Sequence, residues 1–180
     1  MAQQWYSLLD SRFGVIGVVL AGKDKIAGIY LPHKNVKTLK RVLADFPGAA
    51  QGPFPDRVRK ALDNCMKGLG CEGLLQMLDL DRLQPFQKSI LLQEAKIPTG
   101  KVLSYSQLAA KAGFPGAARA AGSALANNPF PLAIPCHRTV RSDGSLGGFG
   151  GGLEMKRALL EMEGVGFDKN GRVKKEFFWK

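Results

Sequence analysis

Apolar and polar positions alternate along residues 4–20 and 25–31, with Val, Ile and Tyr prominent, and the alternation breaks near Arg12-Phe-Gly14 and Gly22-Lys-Asp24. A period of two rich in β-branched residues predicts two or three antiparallel strands. The spacing then becomes helical over residues 35–46 and 55–69, on either side of the Pro- and Gly-rich stretch 47–55. Residues 80–84 read as a linker. Pro85 suits the first turn of a helix reaching about Lys96, because a proline there gives up no helical hydrogen bond.

Pro98-Thr-Gly100 ends that helix, and Ser104-Tyr-Ser-Gln107 opens a short one to Ala112 with a serine available as cap. Gly113-Phe-Pro115 makes a turn, and residues 117–126 form a second helix. Two short helices joined by a turn containing Gly are the helix-turn-helix pattern. The second helix, Ala117-Ala-Arg-Ala-Ala-Gly-Ser-Ala-Leu-Ala126, carries one long polar side chain, Arg119. Base readout in the major groove needs several Arg, Asn or Gln side chains, so this helix is suited either to pressing its backbone into a narrow groove or to packing closely against a neighbour. Asn127-Asn-Pro-Phe-Pro131 must be a structured turn, and residues 132–134 read as a short buried strand leading into Pro135-Cys-His-Arg138. Asp143-Gly144 predicts a tight hairpin forming a small wing. Residues 147–152 form a Gly-rich loop around Phe149, residues 153–163 a helix that stops at Gly164, and Asn170-Gly171 a last hairpin. The pattern predicts an α/β chain divided into residues 1–80 and residues 81–180.

At 45% hydrophobic and 23% charged, the 180-residue chain has the balance of a globular protein with a real core. No apolar run approaches the roughly 20 residues of a membrane span. The start Met1-Ala-Gln-Gln-Trp5 lacks the layout of a signal peptide, which points to a cytoplasmic protein with no membrane partner. A net charge of +11 favours a polyanion, nucleic acid before membrane, since no basic amphipathic helix stands out. The excess does not locate the site: residues 1–100 hold 14 basic and 9 acidic groups, and residues 101–180 hold 12 and 6. The 3 cysteines are too few for a disulfide scaffold, and with only His33 and His137 beside them no metal site is expected. Cys65 and Cys71, six apart around a Gly-rich turn, read as two reduced, partly buried thiols, with a disulfide as the alternative.

Cys136 stands alone, after a proline and before His137 and Arg138. A thiol of ordinary pKa is only about 3% thiolate at neutral pH, and a neighbouring imidazole can take its proton. Adjacent residues on an extended chain point opposite ways, so His137 acts across a bend or through a water. On a helical wheel Glu154, Arg157 and Glu161 share one side of the last main helix, while Glu163 falls between Leu159 and Leu160 on the apolar side. A carboxylate there needs a buried partner, and a histidine is a natural one; the other reading is a frayed helix end that reaches solvent. The functional reading is a Cys–His–Glu relay.

The run Ile134-Pro-Cys-His-Arg138 resembles the active-site signature of the O6-alkylguanine-DNA alkyltransferases. The likeness extends through Gly100-Lys-Val-Leu-Ser-Tyr105, Ala117-Ala-Arg-Ala120, Asn127-Asn-Pro129, Gly147-Gly-Phe-Gly-Gly-Gly-Leu153 and Leu159-Leu-Glu-Met-Glu-Gly164, in the family's order across residues 85–165. The first 80 residues fit it loosely. The resemblance implies an N-terminal ribonuclease-H-like α/β domain followed by a mostly helical winged helix-turn-helix domain. It implies single-turnover repair of O6-alkylguanine, and of O4-alkylthymine, in double-stranded DNA by a monomer with no cofactor.

It also implies that Cys136 accepts the alkyl group, His137 is the base reached through water, Glu163 orients it, and Asn128 braces the turn. Tyr105 would donate to the departing guanine, and Arg119 would enter the stack where the nucleotide is flipped out. Ala118, Ala120 and Gly122 would lie in the minor groove, with Ser104 and Arg138 also on the DNA face. A backbone N–H near Gly150 would meet the guanine O6, and the Cys136 and Thr139 carbonyls would read the exocyclic amine. Phe149 and Gly150 replace the tyrosine and serine of many members, which bears on pocket width. The competing functions are a lesion-binding protein without transfer, a helix-turn-helix DNA-binding regulator and a thiol hydrolase.

Overall fold

The computed structural model describes residues 3–22, 25–71 and 73–180. Strands β1 (Gln4–Ser11), β2 (Gly14–Ala21) and β3 (Lys25–Tyr30) pair antiparallel in succession. The first break in the alternation is the β1–β2 turn; the second falls partly on residues 23 and 24, outside the described residues. Alternation separates the two faces of the sheet. Ile16, Val18 and Leu20 of β2 enter the main core, whereas Val19 joins Ala27, Tyr30, Val42 and Phe46 beneath helix α1 (Thr38–Asp45). Gly17 admits that helix, since a Cβ there would lie 2.9 Å from the Thr38 and Val42 methyl groups. Within the stretch read as a connection, strand β4 (Ala50–Gln51) adds to β1 in parallel, giving the order β3-β2-β1-β4.

Helix α2 (Asp56–Met66) is followed by a turn in which Gly68 and Gly70 take positive φ. The reversal brings Cys65 and Cys71 to a Cα separation of 5.0 Å, and their sulfurs are joined in a disulfide. This corrects the expectation of two reduced thiols: the glycines fold the chain back until a bridge spans the gap without backbone movement.

Helix α3 (Pro85–Glu94) begins on its proline, after a single 3₁₀ turn at Leu80–Arg82 where a plain linker was expected. Strand β5 (Leu103–Ser104) runs directly into helix α4 (Tyr105–Lys111). Ser104 caps that helix: its Oγ accepts from the Gln107 N–H at 3.2 Å, while Gln107 Oε1 accepts from the Ser104 N–H at 2.9 Å. Helix α5 (Ala118–Ala126) follows, and α3 packs on both. Strand β6 (Thr139–Val140) pairs with β5 in parallel, tying the segment after Cys136 to the start of α4. Helix α6 (Leu153–Met162) ends with Glu163 as its cap and Gly164 at φ +82°.

The strand expected at residues 132–134 is instead a tight turn, with Leu132 at φ 72° and the Ile134 N–H donating to the Phe130 carbonyl at 2.8 Å. Pro131 and Pro135 bracket the segment, and neither has an N–H to give a strand ladder. Asp143-Gly144 forms a turn closed by Gly144 N–H on the Arg141 carbonyl at 2.9 Å, but no antiparallel strand pair flanks it. The main core joins Ile26, Leu62 and Met66 to Ile90, Leu108, Phe130, Ile134, Cys136 and Leu159. A backbone bond from Ile29 to the Pro129 carbonyl, 2.8 Å, anchors the Asn127–Pro131 segment on the sheet edge. Among the described residues no helix is long and apolar enough to cross a membrane.

Candidate active site

The chain bends sharply at Cys136. Pro135 sits at φ −79°, ψ 59°, and the Cys136 N–H donates to the Ile134 carbonyl at 2.8 Å, which is an inverse γ-turn. A 3₁₀ turn, Cys136–Arg138, follows at once. Asn128 braces the bend, donating from Nδ2 to the Ile134 carbonyl at 3.3 Å and accepting the Phe130 N–H on Oδ1 at 2.9 Å. The Cys136 sulfur is buried, and burial pushes the thiol up to about 11 against the pull of the Asn128 amide and the Lys156 ammonium. At rest the group is therefore a thiol, and it needs a base to become a nucleophile.

His137 supplies a nitrogen suited to that task. Its Nε2 lies 2.9 Å from Glu163 Oε1, with both side chains 2% exposed. Burial lowers the imidazole pKa despite the carboxylate, so the ring is neutral at neutral pH. A neutral ring donating Nε2–H to Glu163 keeps Nδ1 as its basic nitrogen, and Nδ1 is buried without a partner among the protein groups. Burial alone would raise the Glu163 carboxyl; the bonds from His137 and Arg138 overcome that and hold it down at about 2.

Arg138 is part of this buried network and not of a DNA face, which corrects its expected role. It is 6% exposed and donates from Nε and Nη2 to Glu163, from Nη1 to the Ile97 carbonyl at 2.7 Å, and from Nη2 to Thr99 at 3.0 Å. Ser104, also expected to face DNA, is 3% exposed and spends its side chain on the α4 cap. Thr139 is fully buried, and its carbonyl accepts from Lys156 Nζ at 2.6 Å. Lys156 reaches the Gly148 carbonyl as well, at 3.2 Å, so one buried ammonium ties the acceptor segment to the Gly-rich loop.

Tyr105, Ala118, Arg119 and Gly122 line a cleft of about 460 Å³ together with Ser106 and the turn residues Arg141, Ser142 and Asp143. Arg119 and Ala120 are exposed. Burial raises the Tyr105 hydroxyl pKa, which keeps it a proton donor. Gly147 allows that hydroxyl its place: φ is +68°, and a Cβ would stand 2.7 Å from it. Phe149 meets the His137 ring edge-on at 6.2 Å, whereas a Cβ on Gly150 would touch nothing. Phe149 and Gly150 also border a groove of about 1330 Å³ lined as well by Arg12, His33, Lys34 and Lys37. Among the described residues no cluster of His, Cys, Asp and Glu could hold a metal ion.

Sequence reasoning missed Glu94, Lys156 and Arg141. Glu94 and Lys156 are fully buried beside the acceptor segment, and both lie at helical spacing from apolar residues, Ile90 and Ile97 in one case, Leu159 and Leu160 in the other. The wheel that singled out Glu163 would have found them. Arg141 had no such signal, because its position depends on how the turn after β6 folds back toward Tyr105.

Residues 85–165 match the family described as 6-O-methylguanine DNA methyltransferase, DNA binding domain. A methylated-DNA–protein-cysteine methyltransferase of Methanothermobacter thermautotrophicus is 41% identical over 154 residues, 85% of this chain and 81% of its own length. One from Rattus norvegicus is 49% identical, covering 89% of this chain and 82% of the other. Among solved structures, Mycobacterium tuberculosis OGT in complex with DNA superposes with a TM-score of 0.73 at 30% identity, over 88% of this chain and 91% of that one.

Proposed function

Because the chain belongs to the methylated-DNA–protein-cysteine methyltransferases, we propose that it repairs O6-alkylguanine directly, moving the alkyl group onto Cys136 once and irreversibly. The observation that carries the assignment of the acceptor is the buried Cys136 sulfur on one tight turn with His137, whose far nitrogen is fixed by Glu163. His137 Nδ1 takes the thiol proton through a water. The thiolate then attacks the alkyl carbon, the S–C bond forming as the C–O6 bond breaks. The base departs with that electron pair, and the Tyr105 hydroxyl donates toward its ring. The thioether has no group that water displaces under mild conditions, so each molecule acts once.

The target lies inside the duplex and must be extruded, at a cost of a few kcal/mol. The small residues of α5 suit a minor groove about 6 Å wide, and exposed Arg119 fills the gap left in the stack. Arg141, in the same cleft, is the arginine that meets the DNA in place of buried Arg138. In this reading residues 1–80 are the ribonuclease-H-like unit and residues 81–180 the winged helix-turn-helix unit. The protein works as a cytoplasmic monomer without a cofactor or obligate partner, with O4-alkylthymine as a second substrate.

Intact-mass measurement after incubation with methylated duplex tests the function. One methyl group per chain, on the Cys136 peptide alone, is expected. Binding without mass change would make the protein a lesion binder or regulator, and methyl release in excess of protein would make it a hydrolase.

A further inference from the structure

Helix α3 ends on a carboxyl group that this chemistry does not use. Glu94 is fully buried; its Oε2 accepts from Thr139 Oγ1 at 2.5 Å, and its Oε1 has no partner among the protein groups. Thr139 is thus held twice, by Glu94 at its side chain and by Lys156 at its carbonyl, three residues beyond the acceptor sulfur.

The groups facing Glu94 come from each element around it. Lys156 approaches from α6, Arg138 and Cys136 from the 3₁₀ turn, Thr139 from β6 and Tyr105 from α4. The remaining titratable groups of α4 and α5, Lys111 and Arg119, are exposed. Neither nearby cation bonds to Glu94: Arg138 is committed to Glu163, Ile97 and Thr99, and Lys156 to two carbonyls. A charged Glu94 would keep one neutral hydrogen bond as its only direct compensation, which a buried carboxylate tolerates poorly. Burial accordingly lifts the carboxyl to about 8, so it carries a proton at neutral pH.

We propose that Glu94 is a positioning residue for alkyl transfer: as a neutral acid it holds Thr139 and the strand behind Cys136, and on ionising it slows the reaction. The effect on transfer rests on Cys136 being the acceptor. A negative Glu94 acts on both reacting groups in the same direction, disfavouring the Cys136 thiolate and tightening the hold of Tyr105 on its proton. The charges acting on His137 are those of Glu163, Arg138 and Lys156, so the base itself is left largely alone.

The test is the rate of Cys136 modification from pH 6 to 10, read on the Cys136 peptide in two ways: methyl transfer from methylated duplex, and S-alkylation by iodoacetamide without DNA. For the wild type both profiles should flatten above about pH 8. The ratio of E94Q to wild-type rate should grow about tenfold between pH 7 and 9.5, as expected for removing one unit charge near the sulfur. E94L, which loses the Thr139 bond, should be slower than E94Q throughout. T139V removes the donor that favours the charged form and should move the break to higher pH. Lys156 also loses its charge near pH 8 and with it a pull on the thiolate, so the decisive quantity is the E94Q ratio, and a constant ratio in both assays would overturn the proposal. Absence of methyl transfer from the wild type, with the iodoacetamide break intact, would instead sink the repair function and leave the electrostatic role of Glu94 standing.

Discussion

At the scale of single residues, the centre of the site is one carboxylate shared by two side chains, His137 and Arg138, and the Gly100 N–H. Glu163 receives His137 Nε2 and the Arg138 fork inside the protein. Removing it does two things: it frees the imidazole to choose the wrong tautomer, and it leaves a buried guanidinium without a counter-charge. His137→Ala and Glu163→Ala should each slow alkylation by about 10²–10⁴, the range for a positioned base. The double change should cost far less than the product of the two, because both act through one proton path. Single-turnover rates over the full cycle check this, and multiplicative losses would reduce Glu163 to a helix-end support. Glu163 was legible in the sequence because a lone carboxylate between two leucines on a helix demands a buried partner. Arg138 was not. Its burial is decided by the Ile97 carbonyl, Thr99 and Glu163, which sequence distance keeps far apart and only the fold brings together.

At the scale of elements, periodicity and turn chemistry located the strands and main helices, and failed where tertiary contacts decide. The proline-bracketed turn at 132–134 has the apolar content of a strand, and β4 is two residues defined by a partner 45 positions away. The disulfide depends on how two glycines fold the loop after α2. Removing it as Cys71→Ser should cost about 2 kcal/mol under oxidising conditions, from the short loop it closes. Equal urea midpoints for variant and wild type would mean the bridge adds nothing. Helix α5 is the element whose sequence content points most directly to a function, through its single long side chain. Arg119→Ala should slow repair of duplex DNA strongly yet barely change reaction with a free O6-alkylguanine base, and a mismatch opposite the lesion should restore part of the rate. A residue that merely contacts phosphate behaves otherwise, weakening all DNA binding and lowering the salt slope by about one. An unchanged duplex-to-free-base ratio at saturating DNA would assign Arg119 that lesser role.

At the scale of the whole molecule, the buried charges of the site make the stability of the fold depend on pH in opposite directions. Glu163 is held at about 2 against an ordinary 4.5, so it stabilises the fold above pH 4.5, and that contribution is lost as pH falls through about 2. Glu94 is the reverse. Raised from 4.5 to about 8, it leaves the folded state holding a proton the unfolded chain has given up, so stability falls between those values. Lys156, lowered from 10.5 to about 8, makes the unfolded chain bind the extra proton between 8 and 10.5, and stability rises again there. Cys136, raised from 9.0 to about 11, takes stability down between those values and cancels the Lys156 rise above pH 9. Urea unfolding of the wild type should therefore give a shallow minimum near pH 8, with a lower limb of a few kcal/mol and an upper limb of about 1 kcal/mol. Because the main core runs from Ile26 and Leu62 to Leu159, the whole chain should report the loss. Glu94→Met should flatten the limb below pH 8 while keeping the one above, and Lys156→Met should do the converse. A wild-type curve that does not fall toward pH 8, or a Glu94→Met curve parallel to it below pH 8, would mean that Glu94 is charged in the folded protein at neutral pH and that a counter-charge outweighs its burial.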